Sequence, residues 1–245
     1  MPNTHFQFRQ FRIEQAQSGM KVTSDGCLFG GWVASEIRKY GEPKRILDIG
    51  AGTGLLSLML AQVTEDAEIT AVEINESAFN EARHNFEQSP WSDRMQCLHT
   101  PIQELKGEKY DLIICNPPFF KDSQQGVNTD KNQAVHSNDL HVEDLLNQVL
   151  RLLDKDGSFY LLYPEREMKE FTKASKGKGL FPNQKVIVRN QKDQPVFRVM
   201  ARFRFEEMKA ITSELIIRNA NRKYTPESCW ELLKGYYLEY NDPSL

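Results

Sequence analysis

The chain has 245 residues, is 40% hydrophobic and 27% charged, and carries a formal net charge of −3, which suits one sizeable domain whose core needs no disulfide or metal staples. A slightly negative molecule does not bind nucleic acid over its whole surface, so any such contact has to come from a local basic patch. No run is apolar enough to cross a bilayer or serve as a signal peptide, the five histidines lack metal-ligand spacing, and the four cysteines form no C-x-x-C pair, so a cytoplasmic protein with free thiols, no membrane and no metal is expected.

Residues 6–13 partly alternate and read as an N-terminal strand or hairpin arm. Helical spacing follows over 25–40, with Ser24 or Asp25 as the cap. A short apolar strand at 45–49 runs into a glycine turn and a second helix, which begins a βαβ unit. Strands are expected at 68–72, 95–98, 111–115 and 158–163, and helices at 77–88 and 139–153. Residues 123–137 form a polar loop of a length that compact domains usually reserve for function. Further β-rich runs at 185–189, 196–205 and 213–218 should close the sheet as an antiparallel edge, and Pro226 opens a last helix through Tyr240. The predicted fold class is α/β, a doubly wound, seven-stranded and mostly parallel sheet with an antiparallel edge strand. It makes a single domain over 1–245 in which 1–40 is an N-terminal extension.

Two motifs fall at strand ends, where open α/β sheets bind ligands. In Asp48-Ile49-Gly50-Ala51-Gly52-Thr53-Gly54, glycine at every second position lets the backbone turn tightly and approach a ligand closely. The spacing differs from the G-x-G-x-x-G of dinucleotide binders, and an aspartate just before the turn can receive an ammonium group. Glu73, at the end of the next strand, is placed to accept hydrogen bonds from ribose hydroxyls. An amino-acid end plus a ribose describes S-adenosyl-L-methionine. The second motif is Asn116-Pro117-Pro118-Phe119, directly after the apolar run 110–115. The adjacent prolines leave carbonyls free of helix or ladder, the asparagine amide offers an acceptor, and Phe119 offers a flat apolar face. Acceptors beside an aromatic slab suit a planar group bearing an NH2. Each motif also has a plain structural reading, a glycine turn with incidental acids and a strand ending in a proline turn.

Together these motifs resemble the Rossmann-like class I methyltransferases, and Asn-Pro-Pro-Phe resembles the subset that methylates planar amino nitrogens. With 20–32 and Tyr224-Thr225-Pro226-Glu227 included, the chain from about Phe8 to Leu238 resembles the bacterial tRNA1(Val) (adenine(37)-N6)-methyltransferase family. The resemblance implies S-adenosylmethionine as cofactor, with contacts from Asp48, Gly50, Gly52, Glu73 and Asn116, and from Lys21 and Thr23, which pack over the cofactor from the N-terminal side. Many relatives carry an acidic residue after the third strand; here that region reads His99-Thr100-Pro101-Ile102-Gln103, and Gln103 or a backbone group takes its place.

Adenine N6 is a poor nucleophile because its lone pair is delocalised into the ring. Asn116 and the carbonyl of Pro117 would bind both amine hydrogens and favour the tetrahedral nitrogen of the transition state. Phe119 would stack on the base, with Pro118 and Lys121 as further substrate contacts. The implied partner is a valine tRNA, the substrate of a monomeric enzyme, with Lys169, Lys173, Lys176 and Lys178, or Arg218, Arg222 and Lys223, as candidate phosphate contacts. Competing readings are a glutamine N5-methyltransferase acting on a protein release factor, a ribosomal RNA guanine-N2 or DNA adenine-N6 methyltransferase, and a non-enzymatic cofactor-binding module.

Overall fold

The computed structural model describes residues 4–107, 109–117, 142–221, 223–225 and 231–238. Pro118, Phe119, Lys121, the 123–137 loop, Arg222, and residues 226–230 and 239–240 of the expected C-terminal helix lie outside the described residues; within 231–238 that helix is corrected to one turn, Glu231–Leu233, followed by turns. A hairpin of β1 (His5–Gln7) and β2 (Arg12–Glu14) leads to α1 (Ser24–Tyr40). Then follow β3 (Arg45–Ile49), α2 (Leu55–Ala61), β4 (Glu68–Glu73), α3 (Glu76–Glu87), β5 (Met95–His99) and β6 (Tyr110–Cys115). The second half comprises α4 (Val142–Leu152), β7 (Leu153–Tyr163), α5 (Glu165–Gly177), β8 (Phe181–Arg189), β9 (Val196–Arg204), β10 (Ile211–Ile216) and a single helical turn, α6 (Glu231–Leu233).

Eight strands make one sheet in the order β10-β8-β9-β7-β6-β3-β4-β5. The expected α/β architecture is present, with two corrections. Seven strands form the doubly wound sheet, and β10 adds an eighth. The antiparallel strand is not the edge: β9 lies between β7 and β8 and opposes both, whereas the edge strand β10 runs parallel to β8. The cause is the short β8–β9 connection, a hairpin that folds β9 back into the gap beside β7. The chain must then pass over β8 to place β10 outside it. A third correction concerns α1, whose cap is Thr23; its side chain accepts from the Gly26 amide at 3.3 Å. An extended Thr23 leaves its oxygen free to satisfy an amide of the first turn.

Alternation along the central strands divides the core. Ile46, Leu112, Ile114, Ile69 and Ala71 face α1 and α2, while Leu47, Ile49, Ile113, Cys115 and Val72 lie in the second cluster, with α4 and α5. Asp48, Glu73 and Asn116 share the parity of the first set. Helix α1 is tied to the outer sheet by a buried ion pair, Glu36 Oε2 to Arg202 Nη1 at 2.9 Å, with Arg202 Nε also donating to Asn183 Oδ1.

Gly54 has φ +81°, and a Cβ there would meet Phe86 Cε1 at 2.4 Å. Left-handed backbone costs a side-chain-bearing residue about 1–2 kcal/mol and overpacking about 1–3. Gly54→Ala should therefore lower stability by roughly 2 kcal/mol or more in urea unfolding, and adding Phe86→Leu should recover part of the loss.

Candidate functional site

Strand register assembles the site. Ile49 of β3 pairs with Val72 of β4 on one side and with Cys115 of β6 on the other. The residues that follow, Gly50, Glu73 and Asn116, are therefore neighbours along one edge, each about 4.8 Å from the next strand. Glu73 in turn pairs with His99, which extends the row to β5. The edge is the topological switch, since from β3 the chain proceeds to β4 on one side and returns as β6 on the other.

The glycine turn hangs on β4. Gly50 and Ala51 both donate to Val72 O, at 2.9 and 3.2 Å. Gly50 and Gly52 have φ of +70° and +57°, and a Cβ at either would meet nothing within 4 Å. Backbone handedness demands glycine there, and the open space beside it leaves room for a ligand against the main chain.

Asp48 lies beneath this turn, fully buried. Its Oδ2 accepts from Ser57 Oγ at 2.7 Å and from the Ser57 amide at 3.2 Å, while Oδ1 is buried with no hydrogen-bond partner. Burial pushes its pKa up to about 7; the Ser57 hydrogen bonds oppose that shift and the charge of Glu73 adds to it. A buried acceptor left unpaired costs about 1–3 kcal/mol. A cationic donor is the partner that would relieve both the orphaned oxygen and the acid's reluctance to ionise, and the ammonium of the expected S-adenosylmethionine fits on this ground.

Glu73 has more duties than its strand-end position suggests. Oε2 accepts from the Gly52 amide and Oε1 from the Asn75 amide, both at 2.8 Å. It thus fixes the glycine turn and the start of α3, with a second lone pair on each oxygen left over for hydroxyl donors. Ile74, immediately after it, is 49% exposed, an apolar surface at the cleft edge that sequence reading passed over because it continues an apolar strand. His99 stacks on Phe79, ring centroids 5.1 Å apart, and its Nε2 lies 2.9 Å from Ile74 O. Gln103 is exposed on a helical turn at Ile102–Glu104, beyond β5.

Asn116 is half-buried, and its Oδ1 is covered and accepts no hydrogen bond. Its Nδ2 lies 3.7 Å from the position a Gly26 Cβ would take, so the amide abuts the first turn of α1. Asn116, Thr23 and Asp25 share the wall of one cavity of about 530 Å³, together with Met20 and Val22 on either side of Lys21. Pro117 is buried behind Asn116. The arm that carries residues 20–23 is clasped by α3: Asn85 exchanges hydrogen bonds with the Glu14 backbone and donates to Thr53 O, and Glu81 accepts from the amides of Gln17 and Ser18. Sequence reading gave Glu81 and Asn85 no role, since polar residues on a helix read as a solvated face.

Residues 33–192 match the family model described as methyltransferase small domain. The chain is 40% identical over 242 residues to a tRNA1(Val) (adenine(37)-N6)-methyltransferase of Dyadobacter fermentans, covering 97% of this chain and 99% of that one. It is 35% identical over 244 residues to a protein of the same name from Christiangramia forsetii, covering 98% and 100%. Among solved structures, a predicted O-methyltransferase from Agrobacterium tumefaciens matches with a TM-score of 0.65 at 18% identity, over 89% of this chain and 99% of that one. A Listeria monocytogenes protein assigned as a class I S-adenosylmethionine-dependent methyltransferase matches at TM-score 0.59 and 16% identity, over 90% and 73%. At such identities these two likenesses establish the fold.

Two outcomes follow from the acids. Because the raised pKa leaves Asp48 holding a proton from its ordinary range up to about 7, native protein binds more protons than unfolded in that window, and its stability there falls as pH rises. An ammonium ligand favours the carboxylate, so S-adenosylmethionine binding near pH 6 should release a proton. That release should diminish above about pH 8 and be absent in Asp48→Asn, as calorimetry in buffers of different ionisation enthalpy would record. Glu73→Ala should weaken cofactor binding about tenfold or more and also lower the stability of the protein without cofactor by roughly 1–3 kcal/mol, because two backbone amides lose their acceptor.

Proposed function

The chain belongs to the tRNA1(Val) (adenine(37)-N6)-methyltransferase family, and from that premise we propose that it transfers a methyl group from S-adenosylmethionine to the exocyclic N6 of adenine 37 in the anticodon loop of a valine tRNA. The observation that carries the reading is the unpaired acceptor of Asn116, one strand from the glycine turn and on the same face as Asp48.

S-adenosylmethionine supplies an electrophilic methyl group on a sulfonium. The chain supplies positions and charges. Asp48 receives the ammonium end, Gly50 and Gly52 leave the main chain open to it, and Glu73 accepts from the ribose hydroxyls. Thr23 and Lys21 close over the cofactor from the N-terminal side, and Gln103 borders the adenine end. In this reading the chain is a single domain whose first 40 residues, held by Asn85 and Glu81, pack over the cofactor site.

Asn116 Oδ1 and the Pro117 carbonyl accept the two amine hydrogens. Holding them out of the base plane localises the nitrogen lone pair and stabilises the positive charge that develops as the methyl arrives, which favours the transition state over the ground state. Covering Oδ1 when no amine is bound makes the amine's arrival the relief of a standing cost. Phe119 stacks on the base, with Pro118 and Lys121 beside it. An anticodon-loop base is unpaired or easily unstacked, so presenting it costs only a few kcal/mol. We further take the enzyme to act as a monomer in the cytoplasm.

Asn116→Ala should cut methyl transfer by about a hundredfold or more, as loss of one transition-state contact does, while cofactor affinity stays within about twofold. Near-wild-type turnover would remove Asn116 from the reaction. Mass spectrometry of tRNA nucleosides from cells lacking the gene should show loss of N6-methyladenosine from valine tRNA. Unchanged N6-methyladenosine with loss of methyl-glutamine from a release factor would transfer the activity to protein.

A further inference from the structure

The cavity that contains Asn116 extends away from the cofactor turn into the outer half of the sheet. Beyond the arm and the first turn of α1, its wall is made by Phe197 and Arg198 of β9, Asn190 just past β8, and Ile217 and Arg218 just past β10. The antiparallel course of β9 is responsible. Because β9 alone is reversed, its first residues lie at the same edge as the last residues of β8 and β10. Three strands of the outer sheet therefore deliver polar and cationic side chains to the edge where β6 delivers Asn116.

We propose that this cavity seats the sugar-phosphate backbone of the RNA next to the adenine being methylated, with Arg218 and Arg198 as its phosphate contacts. The inference rests on the tRNA reading above and adds to it the surface that holds the substrate. Each guanidinium is fixed against an aromatic ring. Arg218 lies 4.4 Å from the centroid of Tyr224 and its Nη2 is 3.3 Å from the tyrosine hydroxyl; Arg198 lies 4.4 Å from the centroid of Phe197. A guanidinium seated over a ring has less freedom to lose when its donor fork meets a phosphate. Arg198 is also oriented by Asp25, whose Oδ2 is 3.1 Å from its Nε. The described lining holds two arginines and one aspartate, within a chain of net charge −3. The cavity's volume, about 530 Å³, is in the range of clefts that take a ligand.

The lysine-rich stretch is placed differently. Lys176 and Lys178 directly precede β8, whose first residues lie at the sheet edge opposite the glycine turn, and Lys178 is paired with Glu143 at 2.8 Å. Lys169 is paired with Glu165, also at 2.8 Å. Among the described residues of the two basic groups visible in the sequence, Arg218 is the one that shares a wall with Asn116.

The test is equilibrium binding of transcribed valine tRNA over a salt series, with S-adenosylmethionine affinity and thermal melting measured on the same proteins. Arg218→Gln and Arg198→Gln should each weaken tRNA binding at low salt by about fivefold or more, and lower the slope of log affinity against log salt by about one. Arg218→Lys should keep the wild-type slope, Lys176→Gln should match wild type throughout, and cofactor affinity should stay within about twofold in all four. If the two glutamine variants bind tRNA with wild-type affinity and slope while wild-type enzyme methylates tRNA, the cavity is not the phosphate seat and the enzymatic reading stands. Parallel losses in melting temperature, cofactor affinity and tRNA affinity, unrescued by lysine, would show the arginines to be structural and also overturn the proposal. Wild-type protein that neither binds nor methylates tRNA would remove the reading on which the proposal rests.

Discussion

The parallel pairing of β3 with its two neighbours is the constraint on which everything else in this molecule depends. Side chains alternate along a strand, so a slip of one residue would turn Asp48 or Asn116 away from α1 and into the opposite core. The register is pinned from the far end as well as by apolar alternation. Asp111, near the start of β6, accepts hydrogen bonds from the amides of both Lys44 and Arg45, where β3 begins. With that end fixed, Ile49 falls between Val72 and Cys115, and the three polar residues beyond them emerge together.

Polar groups then brace the sheet edge into a site. Glu73 spends its carboxylate on Gly52 and Asn75, which locks the glycine turn to the strand beside it and to the start of α3. Asn85, one side of α3 away, joins Thr53 of that turn to Glu14 of the N-terminal arm. The turn, the third helix and the arm are consequently one hydrogen-bonded unit. The C-terminal segment closes over the same face, where Tyr236 is buried and donates to Met59 O at 3.0 Å. Both ends of the described chain thus pack around α1 and α2, the helices that cover the Asp48 side of the sheet.

Electrostatics divides the edge into two parts. Toward β4 lie Asp48 and Glu73, two acids of which the buried one has an oxygen without a donor, an arrangement suited to a cation. Toward β8, β9 and β10 lie Arg198 and Arg218, an arrangement suited to an anion. Asn116, neutral and able to accept from an amine, stands between the two. A sulfonium cofactor bearing an ammonium and a polyanionic substrate call for that sequence of environments, and the net charge of the whole chain, which is slightly negative, conveys none of it.

The sequence by itself determined the motifs and their order. A glycine turn between an apolar strand and an apolar helix, an acid ending the next strand, and Asn-Pro-Pro-Phe after a third apolar run are local patterns, set by backbone conformation and alternation within a few residues. They were enough to place Asp48, Gly50, Gly52, Glu73 and Asn116 at strand ends. Strand order in the outer sheet was not local: where β9 inserts and which way β10 runs depend on the hairpin and the passage over β8, so the antiparallel strand was misplaced and the eighth strand merged into an edge. The same holds for side chains that act across long separations. Asn85 reads as a polar helix residue until Glu14 and Thr53 are brought to it, and Arg198 reads as one strand residue among others until the reversal of β9 sets it 3.1 Å from Asp25, 173 positions earlier. Spacing within an element is fixed by covalent geometry and legible from the chain, whereas the partners of a charged or amide group are fixed by packing, which only the tertiary structure decided.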